Sequence, residues 1–167
     1  MILTLIAVNT FGWLVLQLSI AAVAVRIPSR CFAEDNWLYR VRAREIEFYK
    51  RWLLIRRWKN WLPDGAPWVG GNFRKKAPAG RDSTYLAQLM IETRRGEAAH
   101  WLMLASFPIF FLWNPPWAWV VIVLYAAAAN LPCIAVQRYN REAAQRLQLH
   151  RSAHLPSASS SRLTARY

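Results

Sequence analysis

Glu97 and His100 stand three residues apart in Arg94-Arg95-Gly96-Glu97-Ala98-Ala99-His100-Trp101, on the last polar turns before a long apolar stretch. On a helix, side chains three and four apart are neighbours. Glu97 would then adjoin His100, and Glu92, Gly96 and His100 would share one face. A carboxylate beside an imidazole raises its basicity and fixes its tautomer, as a general base requires. The pattern points to proton abstraction from a hydroxyl, with His100 as base and Glu97 or Glu92 as its orienting acid. The plainer reading is structural: His100 as a polar anchor where a helix enters a membrane, and Glu97 as an ion-pair partner of Arg94 or Arg138.

The elements that must position this pair follow from the distribution of charge. The 22 basic and 9 acidic side chains give a formal charge of +13, yet 55% of the 167 residues are apolar and ten are Trp. So basic a chain suggests nucleic acid, but no Lys or Arg occurs before Arg26 or between Arg95 and Arg138. Basic blocks alternating with uncharged apolar blocks suggest a membrane protein instead, and nucleic acid is not expected as a partner. Residues 1–25 carry no charged side chain and suffice for one helical crossing. Ala22-Val23-Ala24 looks like a cleavage site, but there is no basic n-region, so a retained anchor is expected.

The apolar run from Trp101 to Val136 is too long for one crossing and is interrupted at Asn114-Pro115-Pro116. It reads as a helical hairpin, with a first arm of 100–113 and a second of 117–136. At about 1.5 Å per residue the first arm covers only about 20 Å, so it either starts deeper or is re-entrant. Pro108, and Asn130 with Pro132, are candidate kinks. Between the anchor and the hairpin, Val41, Phe48, Trp52, Ile55, Trp58 and Leu62 recur near a helical repeat among many bases. A basic, Trp-rich amphipathic helix from Trp37 to Leu62 suits a headgroup layer and anionic lipids. Pro63-Asp64-Gly65 is a turn signal, and Asp82 or Ser83 is placed to cap the next helix. The tail, 147–167, is basic and Ser-rich and is expected to be disordered.

The fold class is therefore an all-α membrane protein with about three transmembrane segments and a basic interfacial region, in one domain over 1–146. The uncharged flanks place the N-terminus and the 114–116 turn outside. Residues 26–99 and the C-terminus, which hold all the bases, fall on the cytoplasmic side. A short hairpin would bring Gln137-Arg138-Tyr139-Asn140-Arg141 beside His100. The candidate site is then His100, Glu97 and Glu92 for catalysis, with Arg95, Arg138, Asn140 and Arg141 for a phosphate or carboxylate. No phosphate loop, nucleophile elbow or metal-spaced Cys/His set is present, and neither a metal nor a bound cofactor is expected. Cys31 and Cys133 read as free thiols. Arg74-Lys75-Lys76 reads as a solvated loop, and His150 and His154 have no evident partner.

Four ordered motifs carry a resemblance. They are Gln17 with Arg26-Ile27-Pro28; Trp58-Lys59 with Pro63-Asp64-Gly65; Ile91-Glu92-Thr93-Arg94-Arg95-Gly96-Glu97 with His100-Trp101; and Ala129-Asn130-Leu131-Pro132 with Val136-Gln137-Arg138-Tyr139-Asn140-Arg141. Together, over roughly 13–146, the chain resembles the glycosyl-diaponeurosporenoate acyltransferase (CrtO-type) family of small bacterial membrane proteins. The resemblance implies transfer of a fatty acyl group to a hydroxyl of a lipid-linked or glycosylated, carotenoid-like acceptor in the bacterial cell membrane; the reading of the site adds an activated acyl donor, expected to be a thioester. The chain departs from the family pattern at Gly96, where Ala is usual, and at Glu142-Ala143, where Pro-Arg is usual. A non-catalytic scaffold binding anionic lipid and a partner membrane protein is the rival. It would not need His100, Glu97 and Arg138 to converge.

Overall fold

The computed structural model describes residues 2–34, 36–62, 66–71, 73 and 82–154. Every regular element among them is helical: α1 (Ile2–Arg26), a 3-10 turn (Ser29–Phe32), α2 (Ala43–Arg51), α3 (Ile55–Trp58), α4 (Ser83–Ala105) and α5 (Pro116–His154), with further 3-10 turns at Lys59–Trp61, Ala66–Val69 and Phe107–Leu112. Among the described residues, α1 and α5 are the helices long and apolar enough to cross a membrane. The all-α class expected from the sequence is what the described residues adopt.

α4 and α5 form the most extensive helix pair, and α1 lies against α4. Two small apolar clusters hold them. Trp13, Phe110, Ile122 and Ala126 are buried near the hairpin turn, with Leu104 and Phe107 packed on them. Ile46, Tyr49, Ile55, Ala135 and Val136 form the second cluster toward the charged end. Trp13 stacks on Phe110 at 4.2 Å between ring centroids. Gly12 permits this approach, because a Cβ there would come within 3.2 Å of the Phe110 ring. Asn9 and Asn114 exchange paired amide hydrogen bonds of 2.8 Å, and the Trp113 indole donates to Asn9 at 2.9 Å. The N-terminal half of α1 is thereby pinned to the hairpin turn. At the other end of α1, Arg95 donates to the Ile27 carbonyl at 3.1 Å and Arg94 to the Phe32 carbonyl at 3.0 Å.

Several local expectations change. The arm 100–113 is not a helix of its own. α4 runs unbroken from the charged region through His100 to Ala105, and the chain then tightens into the Phe107–Leu112 turn. Ser106 Oγ bonds back to the Leu102 carbonyl at 2.7 Å. Pro108 has no N–H to continue an α-helix and suits the start of a 3-10 turn. Asp82 is the N-cap of α4, its side chain accepting from the Tyr85 amide at 2.7 Å. The second arm overruns its expected end: α5 continues past Val136 to His154 with Pro132 inside it. Residues 147–154, read as the start of a disordered tail, are therefore helical; 155–167 lie outside the described residues.

The expected helix from Trp37 to Leu62 is broken into α2 and α3. Leu54 between them takes a left-handed conformation, φ 46°, which is costly for a leucine. What holds it is Ile55, fully buried in the second cluster, together with a 2.6 Å hydrogen bond from the Trp58 indole to the Leu53 carbonyl. Val41, Trp58 and Leu62 pack on the second cluster, which includes Ile55, rather than forming one free apolar face, whereas Phe48 and Trp52 are exposed and Ile46 and Tyr49 take the inner positions. The Pro63-Asp64-Gly65 turn and Arg74-Lys75-Lys76 fall outside the described residues. Neither Cys31 nor Cys133 is in a disulfide among the described residues.

Candidate functional site

The site is built across the α4–α5 interface, where Gly96 lets the two helices close. A Cβ on Gly96 would lie 3.0 Å from the Gln137 side chain. Next along the chain, Glu97 is fully buried and faces the arginines of α5. Its Oε1 accepts from Arg138 Nε at 2.6 Å and from the Trp101 indole at 3.3 Å. Its Oε2 lies 2.7 Å from Arg141 Nη2, an ion contact off the donor axis. Two arginines on one buried carboxylate offset the desolvation that either charge alone would suffer.

The loop before α2 completes this knot. Arg138 donates from Nη1 to Glu45 at 2.7 Å and from Nη2 to the Leu38 carbonyl at 2.8 Å. Arg141 donates from Nη2 to the Tyr39 carbonyl at 2.7 Å, with its guanidinium 5.6 Å from the Tyr39 ring centroid. Tyr49 donates to the same Glu45 oxygen. Burial would push the Glu45 carboxyl up, but the hydrogen bonds from Tyr49 and Arg138 outweigh it and hold the group below its usual range. The Tyr49 hydroxyl is pushed well above its ordinary value by burial and by its bond to Glu45. Burial, followed by the Glu97 charge, raises Tyr39 as well.

The expected site residues thus divide. Glu97, Arg138 and Arg141 converge, but on one another. The three Arg138 nitrogens are each engaged by protein. Arg141 is fully buried; its Nε and Nη1 have no hydrogen-bond partner among the described residues. Asn140 turns to another neighbour, accepting from Lys59 Nζ at 3.1 Å. Glu92 and Arg95 form their own pair at 3.0 Å on α4; Arg95 also reaches Ser29 at 3.1 Å, and Gln88 bonds Glu92 at 3.0 Å. His100 meets a residue absent from the expected set: its Nδ1 lies 3.0 Å from Oδ1 of Asn130. The expected hold of Glu97 or Glu92 on His100 is thus replaced by an amide, because the arginines claim Glu97 and Arg95 claims Glu92.

Asn130 was legible as a candidate kink and as part of a family motif, but not as a partner of His100. A polar side chain inside an otherwise apolar helix run is itself a signal of function. Glu45, Tyr39 and Tyr49 carried no such signal, since their role depends on where a 36–49 segment folds back. Toward the hairpin turn, Phe11, Gly12, Val15, Leu16, Ser19, Ile109, Phe110 and Trp113 line an open apolar groove of about 320 Å³.

Known proteins share this sequence pattern. Residues 28–150 match the family model described as glycosyl-4,4'-diaponeurosporenoate acyltransferase. A protein of that name from Staphylococcus aureus (strain bovine RF122 / ET3-1) is 31% identical over 131 residues, 77% of this chain and 79% of the relative. Its counterparts in strains USA300 and NCTC 8325 / PS 47 are 30% identical over the same shares. No solved structure matches the chain.

Proposed function

The chain belongs to the glycosyl-4,4'-diaponeurosporenoate acyltransferase family, and from that premise we propose that it is a membrane acyltransferase that esterifies a hydroxyl of a glycosylated, carotenoid-like lipid. The observation that carries the proposal is the buried α4–α5 polar layer. His100 stands on Asn130 one turn from the Glu97–Arg138–Arg141 knot, where an apolar hairpin meets the charged end of the molecule.

In this reading His100 takes the proton of the acceptor hydroxyl as its oxygen attacks the carbonyl carbon of an acyl thioester. The tetrahedral oxyanion collapses, the carbon–sulfur bond breaks, and the departing thiolate recovers the proton from the imidazolium. An ester and a free thiol result. General-base assistance of this kind contributes roughly 10²–10⁴-fold. Arg138 is assigned to holding Glu97 and Glu45 together rather than to substrate. Arg141, buried behind Glu97, is assigned to the same frame. Arg95 is held by Glu92 and the Ile27 carbonyl, but its contact with Ser29 faces solvent, and there the anionic part of the donor would replace the hydroxyl. The apolar groove beside Gly12 and Phe110 would take an alkyl tail.

The same reading sets the molecule in the bacterial cell membrane with the site on the cytoplasmic side. The N-terminus and the Asn114 turn would lie outside. The exposed Trp37, Trp52, Trp61 and Trp68 would lie at the headgroup level, where indoles are enriched and neighbouring bases would meet anionic lipid.

The test is lipid analysis of cells with and without the gene. Mass spectrometry of the extracts should show a glycolipid that is lighter by one acyl group in the deletion and restored by the wild-type chain. An identical lipid profile in the two strains under conditions where the protein is made would contradict the assignment.

A further inference from the structure

We infer that Asn130 is the positioning residue of the site: its side-chain amide holds the proton of His100 on Nδ1 and so presents the lone pair of Nε2 as the base. The inference rests on the reading of His100 as the base and deepens it. Donors and acceptors decide it. The Ala126 carbonyl can only accept, and the Asn130 side chain donates to it from Nδ2 at 3.0 Å. That bond fixes which end of the amide is which. Oδ1 is therefore the end that meets His100 Nδ1 at 3.0 Å. A carbonyl oxygen also only accepts, so Nδ1 must carry the hydrogen. In a neutral imidazole the remaining nitrogen, Nε2, then holds the lone pair.

The setting makes this relay rigid. Asn130 is 1% exposed and sits on α5 between Ala126 of one apolar cluster and Ala135 of the other. Buried among apolar groups, its amide gains by satisfying both ends, and a swap of oxygen and nitrogen would set two acceptors face to face at the Ala126 carbonyl. Its histidine partner is on α4, so the bond also registers the two helices. A neutral amide accepts the Nδ1 hydrogen without adding a buried charge, in a layer where Glu97 is already matched by two arginines.

Two measurements test the inference separately from the reading beneath it. The first is the tautomer of His100, read by nitrogen-15 NMR of histidine-labelled full-length protein in lipid nanodiscs. The chain has three histidines, and His100→Gln identifies the signal. The wild type should show His100 protonated on Nδ1. Asn130→Leu should lose that preference, and Asn130→Asp, which keeps the acceptor, should retain it. A wild-type signal protonated on Nε2, or an unchanged tautomer in Asn130→Leu, overturns the inference.

The second is kinetics. Asn130→Leu should lower kcat by about tenfold or more with KM little changed, since only the orientation of the base is lost. Asn130→Asp, which keeps the acceptor for His100 but sets an oxygen against the Ala126 carbonyl, should recover part of the rate. If Asn130→Leu does not fold, the inference is decided by the wild-type tautomer, which a signal protonated on Nε2 overturns, and by Asn130→Asp, whose loss of the Nδ1 proton overturns it. A fully active His100→Gln sinks the reading of His100 as base, whatever the tautomer. An inactive His100→Gln beside a fully active Asn130→Leu sinks only the positioning role of Asn130.

Discussion

Glu97 of α4 and Arg138 of α5 meet through Oε1 and Nε at 2.6 Å, with the carboxylate wholly shielded from solvent. Arg141 closes on the second oxygen at 2.7 Å. The pair joins the two helices that carry His100 and Asn130, so its first consequence is for stability. Glu97→Leu leaves two guanidinium groups buried against a methyl surface, with Glu45 the remaining carboxylate on Arg138. A broken buried pair costs about 3–5 kcal/mol, enough to lower the melting temperature sharply in detergent. The double variant Glu97→Leu with Arg141→Leu removes the stranded charge along with its partner. Thermal unfolding should find it more stable than Glu97→Leu alone; equal or lower stability would show that charge burial is not the cause.

A second consequence is a pH dependence at the charged end. Glu45 is held below its ordinary value of 4.5 in the folded chain. A depressed carboxyl contributes stability above its unfolded value, and that contribution is lost as pH falls through the folded value. Melting temperature should therefore decline on acidification below about pH 4.5, and Glu45→Gln should be less stable at neutral pH with a shallower acid decline. Tyr49 has the opposite form. Its raised value gives stability that is whole below its ordinary value of 10.0 and lost on further alkalisation. Tyr49→Phe should flatten that limb, as seen in the same unfolding series.

Much of this arrangement was legible in the residues, and the part that was not has a physical cause. The uncharged blocks around α1 and α5 state their own helices, since charge and length decide burial in hydrocarbon. The Glu97–Arg138 meeting was foreseeable because a short hairpin must return its second arm beside its first. What spacing could not reveal is competition. Glu97 neighbours His100 on the helix, yet two arginines from α5 outbid the imidazole for its oxygens, and an amide on the facing helix takes Nδ1. The break at Leu54 was hidden for a similar reason. The periodicity around Trp52 is helical, but burial of Ile55 against α5 outweighs local regularity.

Gly96 provides a third expectation. The family resemblance implies Ala at this position, and a Cβ here would press on the far end of the Gln137 side chain at 3.0 Å. Ala adds helix propensity of up to about 1 kcal/mol, which a small shift of Gln137 offsets in part. Gly96→Ala should retain full activity and stability within about 1 kcal/mol of wild type. Gly96→Leu cannot be absorbed by a side-chain shift and should part α4 from α5, lowering the melting temperature and the rate together. Wild-type behaviour of Gly96→Leu would show that the helices do not close there.

The groove beside α1 gives a fourth. If it takes the alkyl tail, filling it changes which chains fit. Ser19→Phe narrows the space lined by Val15, Ile109 and Trp113 and should shift the preference toward shorter acyl or acceptor chains. Competition between short- and long-chain substrates, read by mass spectrometry of the products, measures that shift. An unchanged product distribution would place the tail elsewhere.

The central claim is that the His100 imidazole moves the proton of the acceptor hydroxyl. It is tested most directly by acyl transfer in membranes carrying His100→Gln, with the melting temperature of the purified variant measured alongside. The expected result is a loss of about 100-fold or more in kcat in a variant that still folds. A His100→Gln protein transferring acyl groups at the wild-type rate would contradict the claim.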